Sequence, residues 1–291
     1  MKNKTPRDGI TIVIENQKIR EALDGTGFVH PNRKSQYLAL FNNNNKVLSK
    51  YKLPDSNINI NLSDHPMDGY FNFCRIKDNN KQFLLPNHRF TKDDIIRNTQ
   101  NFDEVVKYIR SKLVPYVSRK SKFYTNCIPH NSKTPYLKYT IENPTICDAY
   151  VYGGSVHKFF SLDPVFINRL TEMGMVGIKP VPFETHNNYK YVIYNDGNTL
   201  SDRMRLLLCT DAVIVRKKSN FEEFYSYLLF PNDNYIEYKD ESELEQIFKR
   251  LECDEFLTAN IRRNNAHFVD TYLKYDVILE YVATLINELF T

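Results

Sequence analysis

From residue 189 to 239 the chain reads YKYVIYNDGNTLSDRMRLLLCTDAVIVRKKSNFEEFYSYLLFPNDNYIEYK, and the rhythm of this stretch decides the fold. KYVIYN (190–195) is a short apolar run of β-branched and aromatic residues ended by the turn residues NDGN, as a buried strand should be. TLSDRMRLLLCT (199–210) reads as a helix, DAVIVR (211–216) as a strand, NFEEFYSYLL (220–229) as a helix and NYIEYK (234–239) as a strand after Pro231. The helix ESELEQIFKRLE (241–252) follows. Strands and helices alternating through short links specify a largely parallel sheet covered on both faces.

The pattern extends in both directions. Upstream, ICDAYVYGG (146–154) reads as a strand then a turn, and residues 254–290 are helical by periodicity, in two pieces. Nearer the start, GITIVI (9–14) is a strand, and NININL (57–62) alternates at period two before SDHP, where Pro66 turns the chain outward. Asp64 therefore sits on a loop at the carboxyl end of a strand, the edge where ligand loops gather in open α/β sheets. FDEVVKYIRSKLVPY (102–116) places Phe102, Val105, Val106, Ile109 and Leu113 on one helical stripe closed by Pro115. The expected division is an N-terminal, acceptor-side α/β domain over 1–117 and a Rossmann-like, nucleotide-sugar-binding domain over 118–270. A helix over 271–291 would cross back to the first.

Composition narrows the partners. The 291 residues hold 39 Lys plus Arg against 35 Asp plus Glu, a formal charge of +4, with no long block of one sign. That favours an anionic small molecule over a nucleic-acid backbone, and no nucleic-acid-binding motif is found. The five cysteines are scattered and form neither a disulfide framework nor a C-x-x-C clip. Nowhere do 18 or more apolar residues run together, so no integral membrane segment is expected and the chain reads as soluble and cytoplasmic. Twenty Tyr, nineteen Phe and no Trp accompany an Asn and Lys bias, which suggests a virus-encoded protein acting in a host cytoplasm.

At the break after Asn195, Asp196-Gly197 is a turn signal, and Thr199 or Ser201 can cap the helix that follows. Amide donors at such a start attract phosphate, and Arg203 can donate a fork of hydrogen bonds to two phosphate oxygens. Neither G-x-G-x-x-G nor G-x-x-x-x-G-K-[ST] is present. On the junction alone, a turn glycine with a surface arginine is the alternative, just as Asp64 alone could cap a turn before Pro66.

Residues 186–238 resemble the core of the CAP10-like, protein O-glucosyltransferase-like glycosyltransferases, of the lipopolysaccharide-modifying type. The shared pattern is a Lys-Tyr strand, Asp-Gly, an internal Arg with a Leu run, a hydrophobic strand, an acidic-aromatic segment and a Tyr-containing strand. NINLSDHP with FNFCR and LLPNHRF forms a second block in family order, and VPYVSRKSKFYTNCIPHNSKTPYLKY (114–139) a weaker third. The resemblance implies a GT-B-like α/β fold of two Rossmann-like domains facing across a cleft, with no metal or other cofactor. It also implies transfer of glucose or xylose from a UDP-sugar to a hydroxyl on a glycan or protein acceptor, with inversion. By position, Asp64 becomes the general base and Arg203 the diphosphate clamp. Thr199 and Ser201 support the phosphates, Gly197 allows close approach, and Glu223 approaches the ribose.

The third block departs from the family where Tyr124-Thr125-Asn126-Cys127 replaces a Phe-x-Arg-Gly pattern. The donor-binding duty of that Arg would pass to Lys122, Lys133 or His130. The same departure keeps open a second reading, a catalytically weak UDP-sugar or glycan-binding protein on the same scaffold.

Overall fold

The computed structural model describes residues 8–16, 18–27, 31–43, 50–91, 99, 101–128, 131–152 and 164–291. The chain divides into two compact units, one of residues 1–105, 220–228 and 270–291, the other of 106–219 and 229–269. Each has its own sheet, the two-domain α/β class that the sequence leads one to expect.

In the first unit, β1 (Gly9–Glu15), β2 (Lys18–Asp24) and β3 (Ser56–Asn61) pair antiparallel, with β1 in the middle. The short strands β4 (Phe71–Asn72) and β6 (Phe83–Leu84) extend the sheet in parallel, and β5 (Arg75–Ile76) lies apart. Period two explains the centre, because Ile10, Ile12 and Ile14 of β1 are all fully buried, and Ile10 and Ile12 sit opposite Ile60 and Ile58. The other face is closed by polar pairing, with Thr11 Oγ1 donating to Asn59 Oδ1 at 2.7 Å. Helix α1 (Pro31–Asn43) supplies Tyr37, Leu40 and Phe41 to the same core.

The second unit follows α2 (Phe102–Ser111), within which the chain leaves the first. Its six strands are all parallel: β7 (Lys120–Cys127), β8 (Cys147–Tyr152), β9 (Val176–Gly177), β10 (Tyr189–Tyr194), β11 (Val213–Lys217) and β13 (Ile236–Tyr238). Their order is β13-β11-β10-β7-β8-β9. From β7 the chain builds outward through β8 and β9, then returns to β10 beside β7 and builds the other way. Helices α3 (Thr134–Glu142) and α4 (Pro164–Glu172) connect the first half. Tyr189 and Tyr191 are both buried, and the Tyr191 ring packs with Phe123 and Phe248. The turn expected at Gly153-Gly154 and the residue His130 lie outside the described residues.

Two expected helices are corrected. Within 199–210 the α-helix is the single turn α5 (Met204–Leu207), because Leu206, Leu207, Leu208 and Cys209 are all buried and no polar face exists to run along solvent. Residues 220–229 hold instead β12 (Phe221–Glu222), which pairs antiparallel with β5 and places Glu222 opposite Arg75, and a 3-10 turn at Ser226–Leu228. FEEF fits either period, and the non-local Arg75–Glu222 pair at 2.5 Å favours the strand. The remaining helices are α6 (Leu244–Cys253), α7 (Glu255–Tyr272) and α8 (Tyr275–Phe290). Helix α8 buries Ile278, Leu279, Val282, Ala283 and Ile286 in the core of the first unit.

Candidate functional site

The direction of strand building reverses between β7 and β10, so their carboxyl ends flank a point where the connecting loops part and leave room for a ligand. Two cations converge there. Arg203 Nη1 donates to the carbonyl of Asn126 near the end of β7, and its Nε donates to Ser201 Oγ at 3.2 Å. Among the described residues no group takes the second terminal nitrogen, Nη2. Lys133 Nζ donates to the carbonyl of Asn195, just past β10, and to that of Asp196 at 2.6 Å.

Lys133 is 5% exposed. Burial, and secondarily the charge of Arg203, push its pKa down from 10.5 to about 7. Burial raises the Asp196 carboxyl, while Ser219 Oγ donates to its Oδ2 at 2.6 Å. The Asp196 carbonyl also accepts from Ser132 Oγ at 2.6 Å, so the loop after β10 is held from two sides. Arg216 at the end of β11 lies against the rings of Tyr194 and Tyr235, and Lys217 is paired with Glu241 at 2.8 Å. This edge of the sheet gathers Arg203, Lys133 and Arg216, side chains suited to a phosphate group.

The structure brings together Arg203, Ser201, Thr199 and Gly197, but by a different device from the expected helix cap. No side chain caps α5. Thr199 is buried and its carbonyl accepts from the Gly197 amide at 2.8 Å, while the Ser201 carbonyl accepts from Tyr194 Oη at 2.6 Å. The loop is thus stapled to its own strand rather than to a helix start. Gly197 is not in the left-handed region, and a Cβ there would meet only the Thr199 carbonyl at 4.0 Å. Lys122 is not part of the cluster. It lies toward the amino end of β7, where its Nζ donates to the carbonyl of Pro144 at 2.6 Å.

In the first unit, Asp64 sits on the bend after β3, with 42% of its side chain exposed. Asparagines shape that bend. Asn61 Oδ1 accepts from the Ser63 amide at 3.0 Å, and Asn61 Nδ2 donates to the His65 carbonyl at 2.7 Å and to Asn72 Oδ1 at 2.8 Å. Arg33 of α1 then fixes the carboxylate, with Nη2 at 2.7 Å from Asp64 Oδ1 and Nη1 at 2.6 Å from the Leu62 carbonyl. Sequence reasoning missed Arg33, whose only signal was a charge on a helix 31 residues away. Glu223 also belongs to the first unit, where it is 3% exposed and lines a cavity.

Burial pulls the pKa of His186 down to about 3, and its Nδ1 faces the Phe183 carbonyl at 2.7 Å. Among the described residues no three His, Cys, Asp or Glu side chains are grouped to hold a metal ion. Among the same residues no helix is long and apolar enough to cross a membrane.

Solved structures that resemble the chain include TarM, with 15% identity over 60% of this chain and 37% of TarM and a TM-score of 0.42. HepE of Anabaena, solved with UDP-glucose, matches with 12% identity over 64% of this chain and 53% of its own, at a TM-score of 0.44. The C-terminal domain of LpcC from Francisella tularensis matches with 10% identity over 60% of this chain and 94% of that domain, at a TM-score of 0.40. The chain thus spans 37% of TarM and 53% of HepE. Among curated proteins no sequence matches it. The profile of glycosyl transferase family 90 matches residues 45–290, and the chain belongs to that family.

Proposed function

We propose that the protein is an inverting glycosyltransferase that moves glucose or xylose from a UDP-sugar to a hydroxyl on a glycan or protein acceptor. The observation that carries this reading is the convergence of Arg203 and Lys133 at the reversal point between β7 and β10, in a chain of family 90. An arginine whose Nη2 has no partner among the described residues suits a diphosphate, whose negative charge grows as the bond to the anomeric carbon breaks. Lys133 orients the loop carrying Gly197, Thr199 and Ser201 and adds a second positive charge.

Asp64 is the general base of this scheme. Its exposed carboxylate, held by Arg33, takes the proton of the acceptor hydroxyl as the oxygen attacks the anomeric carbon from the face opposite UDP. One displacement inverts that carbon. UDP leaves as a phosphate anion stabilised by Arg203, so no second carboxylate is needed to protonate the leaving group, unlike in a glycoside hydrolase. We assign Glu223 to the substrate-binding surface and give Lys122 no donor contact. The place we assign the protein, a host cytoplasm in a virus-encoded chain, rests on composition alone.

The test is UDP release from a panel of UDP-sugars, alone and with sugar acceptors, by the wild type, Asp64→Asn and Arg203→Ala. One donor should be turned over. Asp64→Asn should lower turnover by about 10²–10⁴-fold while donor affinity holds, and Arg203→Ala should weaken donor binding. UDP binding without release from any donor would favour the binding-protein reading. Neither binding nor release would reject both.

A further inference from the structure

The first unit contains a cavity of about 200 Å³, of which the transferase scheme above uses only Glu223. Its walls come from the β5–β12 pair, the segment around β6, the turn at 226–228 and helix α8. One side is aromatic. Phe224 is buried and packs against Tyr281, with ring centroids 5.0 Å apart, and Tyr281 Oη is anchored on the Leu84 carbonyl at 3.1 Å. Tyr227, 66% exposed, is the aromatic group at the mouth.

The opposite side is polar. Arg75 Nε meets Glu222 Oε1 at 2.5 Å, with 29% and 16% of the two side chains exposed, and Asn80 also lines the cavity. Among the described residues neither terminal nitrogen of Arg75, nor the second oxygen of Glu222, nor the Asn80 amide has a hydrogen-bond partner. The pair is thus fixed by one bond, and both of its members line the cavity.

We propose that this cavity binds one uncharged pyranose ring of a glycan. A pyranose has an apolar face of C–H bonds, which lies against an aromatic ring, and a rim of hydroxyls, each both donor and acceptor. A fixed carboxylate–guanidinium pair satisfies two neighbouring hydroxyls at once. A fatty chain would leave these polar groups desolvated without partners. A phosphate would meet two carboxylates, Glu222 and Glu223, against one arginine that is already paired.

The cavity also adjoins the chain segment that carries the proposed base. Cys74, the residue before Arg75, has its Sγ 3.9 Å from the Asp64 carbonyl. We therefore assign the ring to the acceptor, making the acceptor a glycan. That assignment rests on the transferase reading, whereas sugar binding itself does not.

The experiment is saturation-transfer NMR on the full chain with methyl glycosides of glucose, galactose and N-acetylglucosamine, with UDP titrated in parallel. Variants are Tyr227→Ala and Asn80→Ala, both at exposed positions, Glu222→Gln, and Phe256→Ser as an exposed ring outside the cavity. At least one glycoside should bind. Glu222→Gln should weaken it about tenfold, the worth of one charge-assisted hydrogen bond. Tyr227→Ala and Asn80→Ala should also weaken it, and Phe256→Ser should match the wild type. No saturation transfer to any glycoside, binding unchanged in the three cavity variants, or displacement of the sugar by uridine would overturn the proposal. Sugar binding that the cavity variants weaken, in a chain that does not bind UDP, would support the sugar site and remove the transferase reading.

Discussion

A lysine sealed at the end of a parallel sheet can lower its energy by losing its proton or by gaining an anion, and Lys133 is so placed. Its pKa in the fold, about 7, lies below its ordinary 10.5, with burial the larger cause and Arg203 the smaller. Between those values the unfolded chain holds more protons, so stability should rise with pH from about 7 to about 10.5, by an amount on the order of 5 kcal/mol. Below pH 7 the full cost is present. Lys133→Met should remove this slope from urea midpoints measured across the range. A variant that keeps the wild-type slope would mean that Lys133 is not its source. A bound diphosphate should return the proton, so UDP binding at pH 8 should take up protons, visible in calorimetry as a heat that changes with the buffer. Local signals place Asp64 before Pro66 and Arg203 after a strand-turn, while the roles proposed for them come from the family resemblance. Arg33 was not legible in the sequence, since the ion pair it makes spans 31 residues and no local pattern encodes it.

Strands were easier to read than helices. Period two in Ile10, Ile12 and Ile14 and the short apolar run of β10 each have one structural solution. Residues 199–210 and 220–229 did not, because a dense run of leucines or aromatics fits a helix until tertiary packing decides, burying 206–209 on every side and pairing 221–222 with a distant strand. What holds the connection between α5 and β11 is an ionic knot. Asp211, at φ 52°, accepts from Arg262 at 2.9 and 2.8 Å and from Arg119 at 3.2 Å. The Arg119 side chain is fully buried and also donates to the Thr210 and Asp211 carbonyls. Asp211→Ala should leave that guanidinium without its counter-charge and cost about 3 kcal/mol in urea unfolding. A loss below about 0.5 kcal/mol would show the pair to be dispensable.

At the scale of the molecule, the first unit is assembled from three separated pieces of chain, and its core needs the last of them. Helix α8 buries Ile278, Leu279, Val282 and Ile286, at roughly 2 kcal/mol each about 8 kcal/mol, comparable to the whole stability of a domain. Deleting residues 270–291 should therefore make β1 and β3 accessible to limited proteolysis, while peptides from β7, β10 and β11 stay protected. Equal protection of both sets would show that the helix is an accessory. The parallel sheet was legible from the alternation of elements. Recruitment of residues 220–228 to the first unit was not, because it depends on pairing between β5 and β12, about 147 residues apart in the case of Arg75 and Glu222.

The most direct measurement is calorimetric titration of UDP into the wild type and Arg203→Ala at pH 6.5, where Lys133 is mainly charged. Saturable binding to the wild type, weakened about tenfold or more in the variant, is the expected result. No binding to the wild type, or equal binding to both, would contradict the placement of the donor at the carboxyl ends of β7 and β10.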